Sequence, residues 1–196
     1  MKKHILPAIK LTALCIVLLA VIYPALIFAM AQLSPNQGKG KTVESGNKTY
    51  YSNIGQSFTE DEYFSSRPSA VDYNSAGSGG SNKAPSNKEY LDQVQARIDT
   101  LMMKNPGLVK SQIPADLVTA SGSGLDPNFS VQAAKVQAKR IAKVRNLDES
   151  KVNMLIDENT EKPFLGMFGP EKINVLQLNI ALDQLAKSNQ KRITQI

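Results

Sequence analysis

The chain has 196 residues, 23 lysines and arginines against 17 aspartates and glutamates, one histidine, one cysteine and no tryptophan. Both the histidine, His4, and the cysteine, Cys15, fall at the extreme N-terminus, so no disulfide can staple the remainder, and Ser-His catalysis, Cys-His catalysis and a His/Cys zinc site have no residues to use there. Setting aside Lys2, Lys3 and Lys10 leaves 20 basic residues against 17 acidic ones, a net charge of +3 that gives no reason to invoke nucleic acid.

Those three lysines precede Leu11 to Ala31, an apolar run broken only by Thr12, Cys15, Tyr23 and Pro24. As a helix it would span roughly 31 Å, close to the hydrocarbon core of a bilayer at about 30 Å. Lysines on the short side favour retention in the cytoplasm. The expectation is therefore a single-pass plasma-membrane protein: residues 1–10 cytoplasmic, 11–31 the anchor, 32–48 a polar tether and 49–196 an extracytoplasmic domain. Ala29-Met30-Ala31 resembles a signal-peptidase site, but the run is longer than the roughly 7 to 15 residues of an ordinary signal core, which favours the anchor. The tether reading rests on Ser34 to Lys48, polar and carrying Pro35, Gly38, Gly40 and Gly46.

Tyr, Thr and Phe between Thr49 and Phe58 suit an extended segment, and Thr59 with Glu62 has capping-box spacing for a short helical turn ending at Phe64. Ser65 to Asn87 is a long Ser/Gly/Asn/Pro loop. Leu91, Val94, Ile98 and Leu101 predict a helix from Asn87 to Met103, stopped by Pro106-Gly107. Ile113 to Ala120 reads equally as helix or strand. Ser121 to Gly124 and Asp126-Pro127 make a second small-residue loop. Ser130 caps a helix to Arg145, with Lys135, Lys139, Lys143 and Arg145 on a basic outer face. Asp148 opens another, with Val152, Leu155 and Ile156 inside. Pro163 to Gly169 is an apolar loop or short strand, and Val175, Leu178, Leu182 and Leu185 align on a last helix from Asn174 to Lys187. There is no internal repeat. The fold class is one α+β domain, richer in helix than in strand, behind a transmembrane helix.

No residue stands out as catalytic. GxxxxGK[ST] is absent, and Gly77-Ser78-Gly79-Gly80 lacks the lysine and helix of a phosphate loop. Backbone amides near Ser78 to Asn82 or Ser121 to Gly124 could cradle an anion, although such loops are usually connectors. A serine-lysine hydrolase using Ser121 or Ser123 needs no histidine, yet no lysine is singled out by spacing. Glu60-Asp61-Glu62 is more simply a helix-start charge cluster than a metal or paired-carboxylate site.

Longer strings say more. Ser66-Arg67-Pro68-Ser69-Ala70, Tyr73-Asn74, Ser78-Gly79-Gly80-Ser81-Asn82, Pro85-Ser86-Asn87, the fourteen residues from Pro114-Ala115-Asp116 to Asp126-Pro127, Pro163-Phe164-Leu165-Gly166 and Asn174 to Asn179 together resemble the small C subunit of the bacterial Kdp potassium-transporting ATPase. With the anchor, the resemblance spans nearly the whole chain. Lys83-Ala84 departs from the family's usual Leu-Gly, and Asn128-Phe129 from its usual His-Ile.

The resemblance implies a non-catalytic subunit assembled with a channel-like potassium-translocating subunit and a P-type ATPase subunit that hydrolyses ATP; ATP and K+ would be used by the complex. Family roles include stabilising the assembly, raising apparent ATP affinity and sitting over the external potassium entrance. An extracytoplasmic domain suits the last better than direct contact with cytoplasmic ATP. In that account Arg67 and Asp126 brace two loops, Asn74 and Asn82 satisfy backbone groups, and Pro68, Ser69, Ser78, Gly79, Gly80, Ser81, Asp116, Ser121, Gly122, Ser123, Gly124 and Pro127 are structural or interface residues. A plainer reading leaves Gly79, Gly80, Gly122 and Gly124 as positive-φ positions and Pro68 and Pro127 as turn formers. A membrane-tethered serine hydrolase or solute-binding domain is the alternative function.

Overall fold

The computed structural model describes residues 2–34 and 36–194, and the chain divides into two units between Tyr51 and Ser52. Pro35, read above as part of the tether, lies outside the described residues.

In the first unit a helix runs from α1 (Lys2–Ile16) through a π-helical segment (Val17–Ile22) into α2 (Tyr23–Gln32). The π segment answers Pro24. Proline has no amide to donate and its ring crowds the preceding turn, so the ladder widens by one residue just ahead of it, and the Tyr23 amide donates to the Leu18 carbonyl, five positions back. The stretch from Lys3 to Gln32 is 30 residues long with a mean hydropathy of 2.7 over its most apolar window, and none of that window is buried by protein. By length and composition it is able to cross a bilayer. It extends further N-terminally than the apolar run alone suggests, because Ile5, Leu6 and Ile9 continue the helix past Lys10.

The segment read as a tether is not structureless throughout. β1 (Thr42–Ser45) pairs antiparallel with β2 (Lys48–Tyr51), Glu44 facing Thr49. Gly46, at φ +59°, takes the first position of the two-residue Gly46-Asn47 loop, where such hairpins favour glycine.

The second unit gathers its helices and a small sheet around one core. α3 (Lys88–Lys104) is capped by Asn87, whose side chain accepts from the Tyr90 amide. α4 (Val131–Val144) is capped by Ser130, and α5 (Glu149–Glu158) by Asp148, whose carboxylate is held below its ordinary pKa by the Ser150 amide. α6 runs from Val175 to Thr194. β5 (Lys172–Asn174) is the middle strand of three, paired antiparallel with β3 (Asn128–Phe129) and β4 (Thr160–Glu161). Phe129 faces Ile173 across the ladder, and Asn128 faces Asn174. Between α3 and β3 the chain makes two 3-10 turns, Lys110–Gln112 and Ala115–Leu117. The stretch left open between helix and strand therefore holds a single 3-10 turn, Ala115–Leu117, entered from Pro114.

Residues 59–64 form no capped helix. The Tyr63 amide donates to the Glu60 carbonyl in a single turn, and the Thr59 hydroxyl reaches Glu60 Oε1 at 3.5 Å instead of a backbone amide. The core gathers Phe64, Phe129, Ile141, Val152, Ile156, Ile173, Leu178 and Leu182, each at most 3% exposed. Phe64 meets Phe129 edge to face, ring centres 6.4 Å apart. Burying each such side chain contributes about 1.5–3 kcal/mol, so the domain needs no disulfide.

Candidate functional site: a two-loop brace

Two irregular segments, 66–80 and 121–127, are hydrogen-bonded along their length. The Arg67 guanidinium donates to Asp126 Oδ2 at 2.7 Å, while Asp126 Oδ1 accepts from the Asn128 amide at 3.0 Å, so one carboxylate both pairs the loops and closes the turn through Pro127. The Ser121 amide donates to the Pro68 carbonyl at 3.2 Å, and the Gly79 amide and Ser78 hydroxyl both donate to the Ser123 carbonyl, at 2.8 and 3.0 Å. Ser69 Oγ donates to the Gly124 carbonyl at 2.6 Å and accepts from the Val71 and Tyr73 amides.

The turn Val71–Asn74 is the strained part. Asp72 and Tyr73 both have positive φ, +49° and +57°, which costs an L residue roughly 1–2 kcal/mol each. Three contacts hold it: the Asn74 amide donates to the Val71 carbonyl at 2.9 Å, Ser69 Oγ takes the Tyr73 amide, and the Tyr73 hydroxyl donates to the Arg67 carbonyl at 2.6 Å. Burial holds the Tyr73 phenol above its ordinary value. Gly124 lies against this turn at φ +69°; a Cβ there would stand 2.6 Å from Val71 Cγ2 and 2.7 Å from the Gly79 carbonyl oxygen. Gly55 is as constrained, its amide donating to the Leu125 carbonyl at 2.7 Å and its Cβ position lying 2.6 Å from the Asp126 carbonyl oxygen.

Most of the residues singled out from sequence meet here: Arg67, Pro68, Ser69, Ser78, Gly79 and Gly80 face Ser121, Gly122, Ser123, Gly124 and Asp126, while the Pro127 carbonyl accepts from the Val175 amide at the start of α6. Of the four glycines read as positive-φ positions only Gly124 is one; Gly80 instead allows close approach, its Cβ position being 3.0 Å from the Gly122 carbonyl oxygen. Asn74 Oδ1 accepts from the Ala76 amide at 3.0 Å and so serves its own turn. Among the described residues no hydrogen bond joins Ser81 or Asn82 to the opposite loop; Asn82 is exposed at φ +50°. Asp116 stands apart too, its carboxylate accepting from the Ser130 amide and hydroxyl at the start of α4.

The chemistry of the module is structural. Ser121 Oγ accepts from the Gly124 amide and Ser123 Oγ from the Leu125 amide, each at 2.9 Å, so both hydroxyls are engaged in turning the loop. The amides of Gly79, Ser121 and Gly124, three of those that an anion cradle would use, already donate to carbonyls. No His, Cys, Asp and Glu group able to hold a metal occurs among the described residues. A groove of about 490 Å³ beside α4 is lined by Leu108, Gln132, Lys139 and Lys143 and by no residue of the two loops.

A second set of polar residues escaped the sequence reading. Arg140, 7% exposed, donates to Asn105 Oδ1, Gln137 Oε1 and the Tyr63 and Asp61 carbonyls. Gln137 Oε1 also accepts from the Ser65 amide, and Asn179 exchanges two hydrogen bonds with the backbone of Phe64. These side chains satisfy the backbone of residues 61–65, which has no strand partner of its own. Their signal was available: Gln137 and Arg140 interrupt the apolar stripe Ala133, Ala134, Ala138, Ile141. Arg145, placed on the basic outer face, is instead only 8% exposed in its side chain, stacked 4.6 Å over Tyr63 and paired with Asp183 at 2.7 Å.

A helix able by length and composition to span a bilayer, followed by a mixed helix and sheet domain in which two irregular loops brace one another, is the class of protein that the fold and site define. The sequence matches the family model described as "KdpC: K+-transporting ATPase, c chain" over residues 5–184. It is 55% identical over 184 residues to a potassium-transporting ATPase KdpC subunit of Flavobacterium johnsoniae, covering 93% of this chain and 99% of that one. Proteins of the same description from Bacteroides fragilis (46%; 93% and 98% covered) and Caldanaerobacter subterraneus (45%; 97% and 100%) are similar to it across almost their full lengths. The chain belongs to the KdpC family, the c chain of the K+-transporting ATPase, and is an accessory subunit, not catalytic by itself.

Proposed function

We propose that this chain supports ATP-driven potassium uptake by stabilising the assembly of the potassium-translocating subunit with the P-type catalytic subunit, its domain docked on the external side over the potassium entrance. The observation that carries the reading is the brace: its serines, its Arg67–Asp126 pair and its strained turn are used on one another, which presents a rigid surface in place of a reactive one. Lys2, Lys3 and Lys10, all in the N-terminal third of the apolar helix, support a cytoplasmic N-terminus and an external domain. Any increase in apparent ATP affinity then comes through the partners, since the ATP is on the other side.

The test has two readouts. In a C15S background, with Met154→Cys as the one thiol, a membrane-impermeant maleimide should label intact cells; labelling only after lysis would contradict the external placement. Omitting the chain should abolish potassium-stimulated ATPase activity of the purified partners, and full activity without it would contradict the accessory role.

A further inference from the structure

From Pro163 to Pro170 the chain carries no charged and no hydrogen-bonding side chain, and the structure turns that run outward. Phe164 and Phe168 pair antiparallel through two 3.0 Å hydrogen bonds, amide of each to carbonyl of the other. The tip between them is held by Gly166 at φ +74° and by Leu165 at φ +53°, a conformation a leucine rarely adopts. Phe164, Leu165, Met167 and Phe168 are 72, 72, 76 and 62% exposed. Other exposed apolar residues of the domain, such as Leu91, Met103 and Met154, are scattered; these four are contiguous on a projecting loop.

We propose that this apolar tip inserts into the interfacial layer of the bilayer that anchors the chain. Three observations favour lipid over a protein pocket. Protein interfaces pair buried apolar anchors with directional hydrogen bonds, and the tip offers no side-chain donor or acceptor to fix a register. Its base carries two positive and two negative groups, Glu161 paired with Lys172 at 3.4 Å and Lys162 and Glu171 exposed beside them, a charged collar that zwitterionic headgroups can meet. Nineteen residues, 33–51, join the end of α2 to the domain, and ten of them fold back as the β1–β2 hairpin, so the chain tethers the domain to the anchoring bilayer at high effective concentration. The inference rests on the anchor reading above.

The chain has no tryptophan, so F168W supplies a unique reporter and L165W a second at the same tip. The full-length chain is reconstituted in phosphatidylcholine and phosphatidylglycerol vesicles whose acyl chains are brominated or unbrominated; M154W, on α5, is the control. Insertion to a depth of about 5–10 Å predicts that bromolipid lowers F168W and L165W emission about twofold and leaves M154W unchanged. Tip reporters that ignore bromolipid and are quenched by aqueous acrylamide as M154W is would overturn the inference while leaving the anchor intact. A chain that does not float with the vesicles overturns the anchor and the inference together. Reporters shielded from acrylamide but untouched by bromolipid in the copurified complex would assign the tip to a protein pocket instead.

Discussion

The brace and the 163–169 tip are both irregular, rich in glycine, proline and small turns, yet they solve opposite problems. In the brace, Ser69, Ser121, Ser123, Arg67 and Asp126 point into the two loops and satisfy them. In the tip, the backbone closes on itself and four apolar side chains are left outside. Irregular backbone is therefore not one category: where its polar groups are internally paired it behaves as core, and where its apolar groups are unpaired it is a contact surface.

The largest effect should come from Gly124→Val, which adds a side chain at positive φ into Val71 and the Gly79 carbonyl; a loss of about 3–5 kcal/mol of domain stability in denaturant unfolding is expected. Arg140→Ala should follow at about 2–4 kcal/mol, because Asn105, Gln137 and two carbonyls lose a buried donor. Asp126→Ala should cost about 1–2 kcal/mol, since its pair with Arg67 is partly exposed and the Asn128 amide also loses its acceptor.

A pH series probes the brace more finely. The Tyr73 phenol is held above 10.0 in the fold by burial, so the unfolded chain ionises first: stability is full below about pH 10 and declines as pH rises past it. Y73F should flatten that decline, leaving the part due to Tyr63, whose phenol is raised by burial and by Asp183. Replacing Phe164 and Phe168 with serine should change stability least, within about 0.5 kcal/mol, because both are exposed. A large loss there would erase the distinction between the two regions.

The helices were legible because their signals are local: Asn87, Ser130 and Asp148 cap where the sequence places them, and the apolar spacing follows except at Leu91, which is 50% exposed at the start of α3. The sheet was not. β3, β4 and β5 are two or three residues each, and Phe129 finds Ile173 across 44 positions, a pairing no local pattern encodes. The β1–β2 hairpin was legible in principle, Gly46-Asn47 being a hairpin signal, but the polar flanks read as tether. Among the site residues, the fourteen-residue string drew attention to 114–127 by resemblance, whereas its partner contacts depend on the tertiary fold. Arg145 was misplaced and Arg140 passed over because a charged residue on a helix is normally solvated; the carbonyls of 61–63, with Asn105 and Gln137 for Arg140 and Tyr63 and Asp183 for Arg145, account for their burial.

The most direct test of the accessory-subunit account is mild-detergent purification of the tagged full chain from potassium-starved cells, with identification of what comes with it. The account predicts a stoichiometric P-type ATPase and a large polytopic subunit, together active as a potassium-stimulated ATPase. The chain recovered alone, from cells shown to express both partners, would contradict it.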